Sequence, residues 1–205
     1  MVDDWFRSPA WDADARADFE GRLARARAHS RPQYLRIKGL ALADAGEVQA
    51  ARVLWERVLG SDGHEFQKAA ATEHLADSYS ADDPERAIEL FRLIVDSRNG
   101  TTSTQEIKLA ELLLDRGTPE DLSEVNRLLN GWVDRRLPFP NAHFRWNLAI
   151  IRLAEAANDR EAIREAARRA LDLADQGPVF TRHPTVGLVD ADTATILRLQ
   201  ELAAD

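Results

Sequence analysis

Residues 30–59 read SRPQYLRIKGLALADAGEVQAARVLWERVL: two amphipathic runs, Gln33 to Ala45 and Glu47 to Leu59, joined at a single glycine, Gly46. Apolar residues in each run return every three to four positions, the spacing of one helical face, and glycine readily takes the left-handed backbone that ends a helix. The stretch predicts a helical hairpin. Ser30 stands three residues before Gln33, a capping-box spacing, and Pro32 falls in the first turn, where its missing N–H does no harm.

The same class extends outward. The 205 residues are 44% hydrophobic, enough for a core. They are rich in Ala, Leu, Arg, Asp and Glu, all but Asp good helix formers, while Val, Ile and Thr never cluster into alternating runs. The fold class is all-α. Upstream, Asp12 caps a helix predicted from about Ala13 to Ala28, and Trp5, Phe6 and Trp11 around Ser8-Pro9 form an irregular aromatic clasp. Downstream, helices are predicted over about Glu65 to Tyr79 and Pro84 to Ser97, the second capped by Asp83 and stopped at Asn99-Gly100. A second capping box, Ser103 with Glu106, opens a helix to Arg116 that Gly117 ends; Thr118-Pro119 caps the next, to about Arg136, with a kink or early end near Asn130 beside Gly131. Asn141 and Asn158 are the expected caps of runs to about Ala157 and Asp175, and a last helix covers about Ala191 to Ala203. Between them, Val179 to Asp190 is the longest loop.

Small residues at positions 39, 76, 110 and 149 recur at spacings of about 37, 34 and 39, near the 34 of a tetratricopeptide unit. In the first two units, Ala51 precedes Trp55 and Ala87 precedes Phe91 by four residues, an alanine that admits a neighbouring helix and an aromatic that fills the gap. At these residues the chain resembles the tetratricopeptide-repeat family, of an uncharacterised bacterial type. The resemblance covers about four degenerate units from Pro32 to Asp175 and departs from the pattern at Lys38, where an apolar residue belongs. It implies a right-handed solenoid of about four helix pairs with N- and C-terminal capping helices. The 205 residues then form a single domain, with clasp and first cap in 1–30, repeats in 31–176 and loop plus last cap in 177–205.

In such an array the first helix of each pair lines a concave groove that holds a peptide or a partner helix. Helical spacing places Arg36 there, then Glu73, His74 and Asp77, then Lys108 and Glu111, then Trp146 and Asn147. Each also reads as ordinary solvated surface, and Trp146 as core. A carboxylate clamp built on Arg36, Lys108 and Asn147 is disfavoured, because Glu73 and Asp77 lie between them.

The net charge of −8 makes nucleic acid an unlikely partner, but the charge is uneven. No Asp or Glu falls between Gly21 and Ala43, which holds Arg22, Arg25, Arg27, Arg31, Arg36 and Lys38. This basic segment reads either as helix ends complementing a macrodipole or as a patch for nucleic acid or an acidic partner. There are no cysteines, so thiol catalysis and disulfides are excluded. No phosphate loop, nucleophile elbow or paired-histidine zinc motif occurs.

The expectation is a noncatalytic adaptor for a protein or peptide partner, cytoplasmic, without cofactor, metal or membrane span, and with homo-oligomerisation left open. A small-ligand sensor or enzyme accessory using the 179–190 loop, with Arg182 and His183, is the other alternative.

Overall fold

Gly39 has no side chain, and a Cβ built on it would lie 2.3 Å from the indole Nε1 of Trp55. The hairpin closes on that contact. A computed structural model describes residues 4–97, 104–133 and 139–204, and every regular element among them is helical. Contacts cluster into two compact units, Met1–Gln105 and Glu106–Asp205.

In the first unit a 3₁₀ turn at Trp5–Arg7 precedes α1 (Ala13–Arg25), α2 (Arg31–Asp44), α3 (Val48–Leu59), α4 (Glu65–Tyr79) and α5 (Pro84–Ser97). Helix α2 packs on α3, α3 on α4, α4 on α5, and α2 also touches α4 and the Trp5–Arg7 turn. Gly46 (φ +87°) makes the tight joint between α2 and α3. The core is built from Leu42, Ala51, Leu54, Trp55, Val58, Ala71, Ala76, Ala87 and Phe91, all buried. Burying each large side chain contributes roughly 1.5–3 kcal/mol.

The second unit holds α6 (Gln105–Arg116), which begins at the boundary, α7 (Pro119–Val133), α8 (Pro140–Ala157), α9 (Arg160–Ala174) and α10 (Thr193–Ala204). Helix α8 packs on α7 and α9, and α9 on α10. One core cluster joins Phe144 and Ile151 of α8 to Ala166, Ala167 and Ala170 of α9 and Leu199 of α10. The alanine stripe of α9 lets its two neighbours approach closely.

Several ends differ from the sequence expectation. Helix α1 stops at Arg25, because Ala26 is extended and the guanidinium of Arg31 folds back to the carbonyls of Ala24 (2.8 Å) and Ala26 (3.1 Å). Ser30 makes no side-chain cap, since it ends a 3₁₀ turn (Ala28–Ser30) and its own backbone is already helical. Pro140, not Ala142, starts α8, which leaves Asn141 inside the first turn. Asn158 is the left-handed end of α8 (φ 55°), and Asp159 caps α9 by accepting from the N–H of Ala162. Helix α7 continues through Gly131 to Val133 without ending at Asn130. Helix α10 begins at Thr193, capped by Asp192. The Asn99-Gly100 stop, the Ser103 cap and the end of the α7 run near Arg136 lie outside the described residues.

Other caps form as expected. Asp12 accepts from the Ala15 N–H at 2.8 Å, and Asp83 from the Arg86 N–H at 3.1 Å. Thr118 and Asp121 cap reciprocally, at 3.2 Å each way, and Arg116 donates to both Asp121 oxygens (2.6 and 2.9 Å). These donors, Arg116 first, hold the buried Asp121 carboxyl well below the usual carboxylate range. A depressed carboxylate stabilises the fold above its unfolded value near 3.9 and loses that contribution as pH falls toward its folded value.

Two stability tests follow from this packing. Gly39→Ala should destabilise the chain by about 1–3 kcal/mol in thermal or urea denaturation, despite alanine's better helix propensity, because Trp55 has nowhere to go. Asp121→Asn should cost about 1–3 kcal/mol near neutral pH, and its deficit against wild type should shrink as the pH is lowered from about 6 to about 2.

Candidate functional site

Where α2 and α4 lie side by side, Arg36 reaches across. Its Nε donates to Gln67 Oε1 at 2.7 Å, and one terminal nitrogen lies 3.3 Å from His74 Nε2. The His74 ring lies over Trp55, with centroids 5.4 Å apart, and Trp55 Nε1 donates to the Arg36 carbonyl at 3.1 Å. Arg36 and His74 are half-buried, and burial pushes the Arg36 guanidinium below its ordinary pKa. A partly desolvated cation beside an imidazole can bind an anionic or hydrogen-bonding segment.

The neighbouring candidates go different ways. Glu73 is 1% exposed and accepts from Gln105 Nε2 at 3.1 Å, so it faces inward although His74 beside it faces the α2–α4 surface. Consecutive helical residues point about 100° apart and cannot share one face. Asp77 is exposed.

In the second unit Lys108 and Glu111 are half-buried on α6, and Glu111 pairs with Arg145 of α8; Asp115 and Arg152 repeat the tie at 2.6 Å. Trp146 does not line a surface: its Nε1 donates to the Leu129 carbonyl at 2.9 Å, and its ring stacks on Trp132 at 6.3 Å. Asn147 is buried too, donating to the His143 carbonyl at 2.8 Å, and its Oδ1 has no partner among the described residues.

The basic segment does not gather into one patch. Arg22 pairs with Asp18 (2.9 Å), Arg31 ties down the end of α1, Arg36 lies against α4, and Lys38 is 2% exposed; Arg25 and Arg27 are exposed. A shallow cleft of about 730 Å³ lies beside Arg31, floored by Leu23, Pro32 and Leu35 and rimmed by His29 and His64. The 179–190 loop is tacked to the start of α8: the Asn141 N–H donates to the Gly187 carbonyl at 3.0 Å, and Phe180 lies 5.8 Å from Phe139 between centroids. Arg182 and His183 are exposed on it. Among the described residues no group of three or more His, Asp or Glu could hold a metal ion, and no helix is long and apolar enough to cross a membrane.

Three residues that matter to this geometry escaped the sequence reading. Gln67 carries no signal beyond its place in the first turn of α4. Arg145 sits three residues before Leu148 on α8. Arg52, 5% exposed, donates to both Asp82 oxygens (2.7 and 2.9 Å), to Ser78 Oγ (3.0 Å) and to the Ser78 carbonyl, with its guanidinium 3.8 Å from the Tyr79 ring centre. It locks α3 to the end of α4 and so fixes how α4 meets α2. The pair of acids at Asp82-Asp83 was its only sequence hint.

No protein-family model, curated protein or solved structure matches the chain. Arg52→Lys should lower stability by roughly 1.5–3 kcal/mol in urea unfolding, because one ammonium cannot reproduce the bidentate pair, the Ser78 bonds and the stacking together.

Proposed function

We propose that the chain is a noncatalytic scaffold of tetratricopeptide type, in which stacked helical hairpins form a right-handed solenoid and bind an extended or helical segment of a partner protein. The observation that carries this reading is the Arg36–Gln67–His74 junction across α2 and α4, half-buried over Trp55. Its support is physical. A cation with part of its hydration removed gains more from an incoming acceptor than a fully solvated one, and charge near an aromatic floor gives register and burial together. The buried small residues at 39, 76, 110 and 149 and the buried pairs Ala51 with Trp55 and Ala87 with Phe91 fit the repeat reading.

Affinity capture from the native cell, read by mass spectrometry, tests it with wild type against Arg36→Glu and His74→Ala. Specific partners should fall about tenfold or more in at least the Arg36→Glu capture, with thermal unfolding of the variant checked in parallel. The same partner set at undiminished yield with both folded variants would sink the α2–α4 surface as the binding site.

A further inference from the structure

Lys38 is buried, yet among the described residues no carboxylate stands within ion-pair distance of it. Its ammonium donates to two main-chain carbonyls of the N-terminal strap, Ser8 at 2.6 Å and Ala10 at 2.9 Å. It also lies 5.1 Å from the ring centre of Trp11 and 5.5 Å from that of Phe19. Around this cage the strap is held by aromatic contacts: Phe6 stacks on Tyr34 at 4.7 Å, Trp5 meets Phe19 and Tyr34 at 5.2 Å each, and Trp11 meets Phe19 at 5.7 Å. Arg7, Ser8, Pro9 and Ala10 are exposed. Residues 5–11, a 3₁₀ turn followed by irregular chain, thus bind as a short peptide binds a receptor, with main-chain carbonyls on a cation and side chains on aromatic surfaces.

We propose that the surface of α1 and α2 beneath residues 5–11 is a peptide-binding site filled by the chain's own strap, and that its partner is a short segment of another protein with two adjacent aromatics in a turn, a third farther on, and a carboxylate facing Lys38. Charge complementarity names that partner. The described acids flanking the strap are committed elsewhere, Asp4 toward Arg7 at 3.6 Å and Asp12 to the cap of α1, so among the described residues Lys38 receives only neutral acceptors. Hydrogen bonds between two ions are stronger than those to a neutral carbonyl, so a segment that supplies an anion there outcompetes the strap. Exchange uncovers an ammonium, which water solvates well, and the aromatic surface of Phe19 and Tyr34, which the incoming segment's own aromatics cover again. The site lies on α1 and α2, separate from the Arg36–Gln67–His74 junction, so either can fail alone.

The test uses the full-length chain and fluorescein-labelled nonapeptides followed by anisotropy. The probes are the strap sequence of residues 4–12, DWFRSPAWD, and peptides carrying Ser8→Glu, Ala10→Glu and the matching glutamines. A chain with Trp5→Ala and Phe6→Ala weakens the cis strap and leaves Lys38, Phe19 and Tyr34 in place. On that chain at least one Glu peptide should bind about tenfold or more tighter than the native and Gln peptides. On wild type, where the tethered strap competes at an effective concentration of order millimolar, each should bind about tenfold weaker or worse. Adding Lys38→Met should erase the advantage of Glu. Native and Glu peptides binding alike would make the occupant a second copy's strap and overturn the acidic partner. No peptide binding at all, or a Glu advantage kept without Lys38, overturns it as well. If Lys38→Met does not fold by circular dichroism, the comparison of Glu with Gln on unaltered Lys38 decides.

Discussion

The absence of a side chain at Gly39 is the constraint on which the first unit depends. The indole of Trp55 fills the space a Cβ would need, and from that position it does two further things: its N–H satisfies the Arg36 carbonyl, and its ring supports His74. One close approach therefore sets how α3 crosses α2 and how the polar junction between α2 and α4 is floored. A larger residue at 39 would push the ring outward and disturb both.

Helix α2 has no solvent stripe of ordinary width, because it is used on three sides. Arg36, Lys38 and Gly39 lie within about one turn and point in different directions: toward α4, toward the strap and toward α3. This accounts for the position at which the sequence departs from the tetratricopeptide pattern it resembles. An apolar residue belongs at 38 if another apolar surface covers it; here the strap covers it with carbonyl oxygens and ring faces, and a long cation suits both.

Helix positions were largely legible because they follow from periodicity and from local stops such as Gly46 and Gly117, whose left-handed backbone needs no tertiary information. Caps were legible only where the next turn stayed local. Asp12, Asp83 and Thr118 cap as their spacing implies, whereas Ser30 fails because the preceding 3₁₀ turn had already set its backbone. The candidate surface was half legible. Arg36 and His74 meet, but Glu73 and Trp146 turn inward, since neighbour spacing along one helix does not say which neighbouring helix covers which side. Gln67 and Asp82 became relevant only through contacts some thirty residues away in sequence, and no one-dimensional pattern carries that.

The two buried cations among the described residues of the first unit show why a basic run is a poor guide to a basic surface. Arg52 meets a carboxylate through both arms and stacks on Tyr79, and hydrogen bonding to Asp82 raises its pKa. Lys38 meets neutral carbonyls and ring faces, and burial lowers its pKa. Coulomb attraction in a partly buried setting offsets the desolvation of Arg52, so that joint is permanent for as long as α3 and α4 are folded. Among the described residues nothing of opposite charge offsets the desolvation of Lys38. Its ammonium is held by the strap's carbonyls and Trp11, with the Phe19 ring of α1 beside them, which makes the strap the part of this unit whose hold is set by chemistry that an incoming anion can change.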